Sequence, residues 1–367
     1  MLQAQLQHTA ESNAIFRPSF FRLSDAADAA AVAALAANTP GLQVYDTLDR
    51  QLNELVKSQH PAARLTPDEI EAKAKAHLGS TPWDAYGVWV YYPWSQRLVH
   101  MLDEAEFIQL RTNRNVYKIT PEERDILATK KIGVIGLSVG QSAALTIAME
   151  RQCGELRIAD FDTLDLSNLN RIRAGVHSLG MLKSTVVARE IAEIDPFIKV
   201  VPFHDGITPD NIDAFLTGGG KLDVLVEECD GLDIKILARV RAQHYGIPVV
   251  MDTSDRGLMD IERFDLEPER PILHGKIPPL SPEAVKALNP QERFGLAAAF
   301  VDVNNTSERF RMSLGEIGKT ISTWPQLASA VVLGGAVVAH VARGICLGAA
   351  LPSGRYYVDL DQIFSAQ

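Results

Sequence analysis

The fold is decided by the stretch Arg157-Ile-Ala-Asp-Phe-Asp-Thr-Leu-Asp-Leu-Ser-Asn-Leu-Asn-Arg171. It opens as an apolar strand, and Asp160 stands at the end of that strand, about 20 residues past a glycine turn that begins at Gly136. An acid at this position binds a ribose in Rossmann-type folds. The polar turn from Ser167 to Arg171 then offers amide donors and a guanidinium, which suit the phosphates of a nucleotide. The stretch therefore favours ATP as a reactant over NAD as a hydride carrier.

Strands and helices alternate on both sides of this stretch, from about residue 106 onward. Short apolar runs are each followed by a helical pattern, which predicts parallel strands joined by helical crossovers. The predicted strands span 132–135, 155–160, 199–203, 222–227, 248–252 and 257–264. The fold class is therefore α/β, a doubly wound Rossmann-like and mainly parallel sheet, with a smaller α+β N-terminal domain. Residues 265–309 form a long, proline-punctuated excursion, and a loop of that length is usually functional or disordered.

Residues 1–105 read as a separate α+β accessory domain in front of this sheet. An alanine-rich helix is predicted over 25–37, and residues 66–69 supply the N-cap and capping-box acid of another helix. Two further runs, 87–92 and 97–102, predict a β-hairpin. Three of the four tryptophans fall in this patch: Trp83, Trp89 and Trp94. Two interpretations stay open for them, a small hydrophobic core or docking face on the second domain, and a binding platform for substrate.

Composition bounds the partners and the compartment. The net charge of −10 argues against a nucleic acid or an anionic membrane as the main partner. The odd number and wide spacing of the cysteines exclude a disulfide framework and a paired C-x-x-C zinc site, so a reducing cytoplasm is expected. These cysteines are Cys153, Cys229 and Cys346. The N-terminus lacks the basic and apolar regions of a secretory signal.

One apolar run is long enough to raise the question of a membrane span. It extends over 327–351, but His340 and Arg343 interrupt it. Ionisable residues are costly in the middle of a bilayer. The run therefore predicts a helix that is buried in a core or in a dimer interface.

Residues able to bind a nucleotide stand at the ends of the predicted strands. The turn Gly136-Leu-Ser-Val-Gly140 opens a helix directly after a strand, so its amides and the helix dipole would hold a phosphate. Asp160 would accept the ribose hydroxyls, and Asp162 or Asp165 would help to bind a metal ion. Taken singly, the turn also fits a tight connection without a ligand. The three acids also fit solvated or helix-capping carboxylates.

Three charged residues would carry the chemistry of a transfer at phosphorus. Arg171 would stabilise charge on a triphosphate, and Lys183 would reach the α-phosphate from the start of a helix. Asp230 stands at the switch point of the sheet, where it would ligate Mg²⁺ and would also fit the N-cap of the helix near Leu232. Each charged residue alone also fits an ordinary surface position. Because they fall at consecutive strand ends of one sheet, a common site is the simpler explanation.

This constellation resembles the ThiF/MoeB superfamily, the ubiquitin-activating-enzyme-like adenylyltransferases. The resemblance covers about residues 109–347 and is most specific over 131–257. It implies ATP and Mg²⁺ as cofactors and makes residues 106–367 the adenylation domain. The chain looks most like the ThiF-like portion of bacterial proteins in which such a domain accompanies a nitroreductase domain, so a nitroreductase-type partner is a further expectation.

The resemblance also implies a role for each motif residue. The acid of the family's D-F-D element, here Asp160-Phe161-Asp162, holds the ATP ribose, and the S-N-L-x-R element contacts the phosphates. Lys183 matches the lysine that follows, and Asp230 matches the metal-binding aspartate. The second element is Ser167-Asn168-Leu169-Asn170-Arg171, so Asn168 and Asn170 are expected at the nucleotide together with Gly136, Ser138 and Gly140 of the turn.

An upstream motif bears on the oligomeric state. MoeB-like dimers send the last arginine of an L-R-x-N-R sequence into the ATP site of the neighbouring subunit, and this chain has Leu110-Arg-Thr-Asn-Arg114. The resemblance therefore implies a homodimer in which Arg114 acts in trans.

Two features depart from the family pattern. Where the family has the glycine-rich loop G-x-G-G-x-G, Ser138, Val139 and Gln141 replace expected glycines, so the triphosphate is expected to be held differently or less tightly. The excursion over 265–309 contains no cysteine, and C-x-x-C pairs are missing. A covalent thioester or persulfide on the protein is therefore not expected.

The leading hypothesis is an ATP–Mg²⁺-dependent adenylyltransferase that activates a carboxylate as an acyl-adenylate, with Arg171, Lys183 and Arg114 offsetting charge on the phosphates. The 265–309 excursion would be the lid over the site. Two alternatives stay open. An NAD-dependent oxidoreductase would explain Gly136 and Asp160, and a degenerate module that binds a nucleotide or peptide would explain the altered glycine loop. The carboxylate belongs to a ubiquitin-like protein, a peptide or a small molecule.

Overall fold

The structure is a computed structural model that describes residues 12–365. It divides between Pro121 and Glu122 into two compact units. The N-terminal residues on which the signal-sequence prediction rests lie outside the described part. The separate roles predicted for residues 1–105 and 106–367 stay a prediction.

The N-terminal unit is built on a four-stranded sheet with the order β1-β3-β4-β2. Its strands are β1 (Ser19–Phe21), β2 (Gln43–Asp46), β3 (Val88–Tyr92) and β4 (Arg97–Met101). Its helices are α1 (Ala26–Asn38), α2 (Leu48–Gln59), α3 (Pro67–Leu78) and α4 (Glu104–Arg111). The predicted hairpin is confirmed, because β3 pairs with β4 in antiparallel register. The predicted capping box of α3 is also present, between Thr66 and Glu69.

The tryptophan patch belongs to the sheet of this unit. Trp89 stacks on the buried imidazole of His100 with ring centroids 4.3 Å apart, and Trp83 meets the same ring edge-on. The Trp83 indole N–H donates to Asp46 at 2.7 Å. Trp83 and Trp89 thus pack around a polar residue within their own unit, while Trp94 meets the Tyr92 ring edge-on. A role of the patch as docking face or substrate platform stays a prediction.

The C-terminal unit is an α/β domain around a seven-stranded sheet with the order β11-β10-β9-β8-β5-β6-β7. Its strands are β5 (Lys131–Ile135), β6 (Glu155–Ala159), β7 (Lys199–Phe203), β8 (Val224–Glu227), β9 (Val249–Asp252), β10 (Leu258–Glu262) and β11 (Gly354–Tyr357). Five strands, β5 to β9, are parallel, and β10 and β11 extend the sheet in antiparallel pairing. The predicted mainly parallel, Rossmann-like sheet is confirmed.

Because β5 to β9 are parallel, their carboxyl ends all lie at the same edge of the sheet. From β5 the chain proceeds through β6 to β7 and then returns to the other side of β5 with β8 and β9, so the switch point lies between β5 and β8. The remaining helices are α5 (Pro121–Leu127), α6 (Gly140–Glu150), α7 (Lys183–Ile194), α8 (Ile212–Thr217), α9 (Leu232–Tyr245), α10 (Pro282–Ala287), α11 (Pro290–Val301), α12 (Glu308–Leu314), α13 (Ala328–Cys346) and α14 (Leu360–Ser365).

The second part of the long excursion, from Pro282 onward, is mostly helical rather than a loop. It contains α10 and α11 and the start of α12, and it packs on α9 through a buried apolar cluster. The cluster comprises Ile236, Met251, Leu273, Ile277, Val285, Leu296 and Phe300. The sequence interpretation took the prolines as signs of a loop. Pro282 and Pro290 instead occupy the first positions of two helices, directly after the N-cap residues Ser281 and Asn289. At that position a proline starts a helix instead of breaking one.

The apolar run near the C-terminus forms α13, which packs mainly on α6. By length and composition this helix alone among those described passes as a candidate membrane span, and half of its apolar window is buried inside the unit. A Cβ on Gly335 would lie 2.3 Å from the Ser142 hydroxyl oxygen, so glycine is needed for the close approach of α13 to α6. Its extensive packing fits the predicted core helix.

Candidate functional site

The glycine turn lies at the switch point, against the end of β8. Gly136 has a φ of +84°, and a Cβ there would come within 2.7 Å of the backbone of Glu228 and Cys229. Only glycine fits both the backbone angle and this contact. The turn leads into α6, whose N-cap Val139 provides no side-chain hydrogen bond. The N-cap residue therefore leaves the first amides of α6 without a side-chain cap, and helix starts of this kind can bind anions.

Asp160 connects this turn to the polar segment that follows β6. The side chain is buried, with one oxygen accepting from the Leu137 amide at 2.7 Å and the other from the Asp162 amide at 2.8 Å. Burial raises the pKa of the Asp160 carboxyl, while the two amides favour its charged form. Asp160 thus fixes the shape of the turn, and its ribose-binding role stays a prediction.

Lys183 is anchored beside Asp160. It begins α7, and its ammonium donates to Asp162 at 2.8 Å. The Lys183 side chain is only 8 % exposed, whereas that of Asp162 is 53 % exposed. A buried ammonium whose partner carboxylate faces solvent can exchange that partner for a phosphate oxygen. The arrangement is compatible with the α-phosphate contact predicted for Lys183.

The Arg171 side chain also contacts the glycine turn. Its Nε donates to the Ser138 hydroxyl at 3.0 Å, and its Nη1 donates to Asn170 Oδ1 at 2.8 Å. Burial lowers the pKa of the Arg171 guanidinium, and the negative charge of Asp230 acts in the opposite direction. Arg171 and Asp230 therefore lie within electrostatic reach of each other across the switch point.

Asp230 is exposed at the end of the segment that follows β8. The N-cap of α9 is Gly231, without a side-chain cap, so the alternative interpretation of Asp230 as the helix cap is wrong. Among the described residues, no group of three or more His, Cys, Asp or Glu side chains is arranged to hold a metal ion. A single free carboxylate fits Mg²⁺ only when phosphate oxygens supply further ligands. This is the setting predicted for Asp230.

Three other predicted residues have structural partners. Asp165 and Asn168 cap the short 3₁₀ turn over 166–170 reciprocally, and the Asp165 amide donates to Asn168 Oδ1 at 3.0 Å. The Asn170 amide donates to the Gln326 carbonyl at 2.8 Å, which ties the turn to the segment before α13. The structure thus gives Asn168 and Asp165 a role in shaping the turn, while their contact with a nucleotide or metal stays a prediction.

Sequence analysis missed a pair of buried acids, one of which adjoins the glycine turn. Glu228 is 8 % exposed, and one of its oxygens accepts from the Asp252 amide at 2.9 Å. Burial and the Asp252 charge raise the pKa of Glu228 well above its ordinary value, and burial raises the pKa of Asp252 to about 6. A Cβ on Gly334 of α13 would lie 2.0 Å from Asp252 Oδ2. The signal was available, because both acids directly end neighbouring apolar strands.

Arg114 lies in the N-terminal unit, in the short 3₁₀ turn Asn113–Asn115 that follows α4. It is therefore in the other compact unit from the glycine turn. Its predicted action in the site of a second subunit stays a prediction.

The sequence of this chain is similar to those of several known proteins. Residues 110–276 match the family model described as the ThiF family. The protein MT1398 of Mycobacterium tuberculosis is 43 % identical over 272 residues, which are 74 % of this chain and 38 % of that protein. The Saccharomyces cerevisiae tRNA threonylcarbamoyladenosine dehydratase 2 is 27 % identical over 41 % of this chain and 34 % of its own length. The chain thus spans little more than a third of these relatives.

A solved structure supports the fold. Escherichia coli MccB, crystallised with MccA-N7isoAsn, superposes with a TM-score of 0.50 at 13 % identity, covering 88 % of each chain. At that identity the likeness concerns the fold.

Proposed function

We propose that this chain, whose residues 110–276 match the ThiF family model, is an ATP- and Mg²⁺-dependent adenylyltransferase. It would activate a carboxylate as an acyl-adenylate and release pyrophosphate. The observation that carries the proposal is an unbroken set of contacts around the glycine turn. Asp160 bonds to the Leu137 amide, Arg171 bonds to the Ser138 hydroxyl, and Lys183 bonds to the Asp162 carboxylate next to Asp160.

These contacts suggest where each part of ATP binds. The ribose lies at Asp160 and Asp162, and the phosphates extend from there along the amides of the turn and the start of α6. Lys183 is then at the α-phosphate end, next to the ribose acids, and Arg171 is at the β- and γ-phosphate end. Asn168 and Asn170 shape the 3₁₀ turn that carries Arg171.

The reaction needs no nucleophile from the protein. A carboxylate oxygen of the substrate attacks the α-phosphorus, the bond from that phosphorus to the bridging oxygen of the β-phosphate breaks, and the electron pair leaves with pyrophosphate. Arg171 and Lys183 offset the charge that develops on the departing group, because they are held in place before the reaction starts. Holding the two reactants in line lowers the barrier further.

Asp230 would hold Mg²⁺ together with phosphate oxygens, and the ion would neutralise part of the triphosphate charge. Asp230 fits this task because it is exposed and lies within electrostatic reach of Arg171, which approaches the same phosphates.

The substrate class follows from the reaction type. It is a carboxylate carried by a ubiquitin-like protein, a peptide or a small molecule. We further propose that the protein is a cytoplasmic homodimer in which Arg114 of one subunit completes the ATP site of the other. The excursion over 265–309 would form the lid of the ATP site. A nitroreductase-type protein would be a further partner.

ATP–pyrophosphate exchange with a panel of carboxylates tests the proposal. The unaltered chain should catalyse exchange with at least one class of carboxylate, and Asp230→Ala should lose it without a change in circular dichroism. Exchange that survives Asp230→Ala would place the active site elsewhere. Failure of the unaltered chain across the whole panel would favour a module that binds nucleotide without reacting.

A further inference from the structure

Two residues that depart from the glycine-rich pattern reach across to the same short segment, 171–173. The Ser138 hydroxyl accepts from Arg171 Nε at 3.0 Å. Gln141 is 2 % exposed, and its side-chain amide makes two hydrogen bonds to the backbone of Arg173. Gln141 Oε1 accepts from the Arg173 amide at 2.8 Å, and Gln141 Nε2 donates to the Arg173 carbonyl at 2.9 Å. Glycine at either position would lack the side chain for these bonds.

The chemistry of the partners fixes how these groups are oriented. A guanidinium only donates, so the Ser138 oxygen must be the acceptor. The Arg173 amide only donates and its carbonyl only accepts, so the oxygen and nitrogen of the Gln141 side chain cannot be interchanged. Gln141 Nε2 also donates to Glu190 at 3.1 Å, and Glu190 accepts from Arg173 Nε at 2.6 Å. The segment that carries Arg171 is thereby tied to α6 and to α7.

The Arg171 guanidinium is held on two of its three nitrogens. Ser138 binds Nε, and Asn170 binds Nη1 at 2.8 Å. Within the described part of the chain Nη2 has no hydrogen-bond partner, so its two N–H groups are available to a ligand, as is the second N–H of Nη1. A free arginine side chain loses rotamer entropy when it is ordered. A guanidinium that is ordered beforehand does not lose that entropy on binding.

We propose that Ser138 and Gln141 are positioning residues that hold Arg171 over the glycine turn before the nucleotide binds. The inference rests on the proposed function and adds how Arg171 is oriented within the proposed site. It reverses the expectation that the altered loop holds the triphosphate less tightly. Side chains in place of two glycines supply a preorganised cation, and the backbone of the turn keeps Gly136 and Gly140 where close contacts require them.

The positioning can be tested without any nucleotide. In protein labelled with ¹⁵N-arginine, the Arg171 Nε–H signal is assigned by its loss in Arg171→Lys. The unaltered protein should show this signal in slow exchange with water. Ser138→Ala should move it to the shift and exchange rate of a free arginine, Gln141→Leu should broaden it, and the matched control Ser178→Ala should leave it unchanged. An Nε–H signal that is the same in Ser138→Ala overturns the proposal.

Calorimetry then tests whether holding Arg171 in place strengthens the binding of the ATP phosphates. Ser138→Ala should weaken binding of Mg²⁺-ATP about tenfold and leave adenosine binding unchanged, and Ser138→Thr should restore ATP affinity. In an Arg171→Ala background, Ser138→Ala should cost no further affinity. Equal losses for ATP and adenosine, or fully additive losses, would mean that Ser138 acts on the fold or independently of Arg171.

The two experiments separate two failures. If the unaltered chain binds neither ATP nor adenosine, the proposed function fails, and the Nε–H signal still decides whether Ser138 and Gln141 hold Arg171.

Discussion

Glu227 and Glu228 are neighbours at the end of β8, yet they lie in opposite environments. Glu227 is fully buried and receives the Lys235 ammonium at 3.1 Å on both oxygens and the Arg239 guanidinium on one. Burial opposes its charge, but Lys235 and Arg239 outweigh burial and lower the pKa of Glu227 to about 2. Glu228 is nearly as buried, but burial and the charge of Asp252 both act to raise its pKa.

The contrast between Glu227 and Glu228 distinguishes a region of paired charges that stabilises the fold from a region of unpaired acids next to the proposed site. On the α9 side, the charges of Glu227, Arg239 and Glu262 are paired in a closed cluster, because Arg239 bonds to both carboxylates. On the other side, Glu228 and Asp252 have no basic hydrogen-bond partner in the described chain, and they adjoin the glycine turn and Gly334. Burial of a paired charge holds the domain together, and burial of unpaired acids is more typical of a site than of a scaffold.

The largest expected effect is on the structural side. Glu227→Gln leaves Lys235 without its carboxylate and Arg239 with one of two, and breaking a buried ion pair costs about 3–5 kcal/mol of unfolding free energy. Glu228→Gln is the matched control, because the same change one residue away keeps an acceptor for the Asp252 amide. Urea denaturation at pH 7 should show a large loss for the first variant, whereas the second should show no loss or a gain, because burial and the Asp252 charge oppose the ionised form of Glu228. Equal losses would remove the distinction between the two faces.

Next in size is an effect on the rate alone. Arg171→Ala removes a preorganised charge, which typically costs on the order of 10²–10³ in rate. The midpoint of thermal unfolding should change little, because within the described chain the Arg171 side chain forms no ion pair and bonds only to Ser138 and Asn170. Pyrophosphate exchange and calorimetric melting on the same preparation check both statements. A variant that loses rate and stability together would assign Arg171 to the structural region.

The acid side predicts a stability that depends on pH. In the folded state the pKa of Asp252 is about 6, above the ordinary value of 3.8, so the folded state binds more protons between these two values. Stability is therefore greatest below about pH 4 with respect to this group and falls as the pH rises to 6. The shift of about 2 units corresponds to about 3 kcal/mol. Asp252→Asn should be more stable than the unaltered protein at pH 8 and should lose this advantage at pH 4.

Glu227 should respond with the opposite sign. Its pKa is lowered from 4.5 to about 2, so its contribution is present above pH 4.5 and is lost as the pH falls toward 2. Unfolding curves of Glu227→Gln and Asp252→Asn over pH 3–8 would give opposite slopes relative to the unaltered chain. Slopes of the same sign would contradict the account of the two faces.

The smallest effect concerns the second subunit. If Arg114 acts in trans, mixing Arg114→Ala with Asp230→Ala should restore part of the exchange activity, since a hybrid dimer contains one intact site. Light scattering at micromolar concentration should show a dimer. A monomer, or a mixture as inactive as its components, would remove the trans role.

Much of the fold was predictable because apolar runs mark buried parallel strands directly. The run 199–203 matches β7, and the acid after the second strand, Asp160, lies at the glycine turn as predicted. The helices of the excursion and the edge strand β11 were not predicted, because proline and short polar-aromatic runs carry weak periodicity. The bond from Ser138 to Arg171 joins positions 33 apart, and no local pattern reports such a contact.

The central claim is that the site at the switch point uses ATP rather than NAD. Thermal unfolding with each ligand tests it directly, because a ligand that binds only the folded state stabilises that state by about 2.7 kcal/mol at a hundred times its Kd. Mg²⁺-ATP should raise the melting temperature of the unaltered chain, and the rise should shrink in Arg171→Ala, whereas NAD should leave the melting temperature unchanged. A rise with NAD and none with ATP would contradict the account and favour an oxidoreductase.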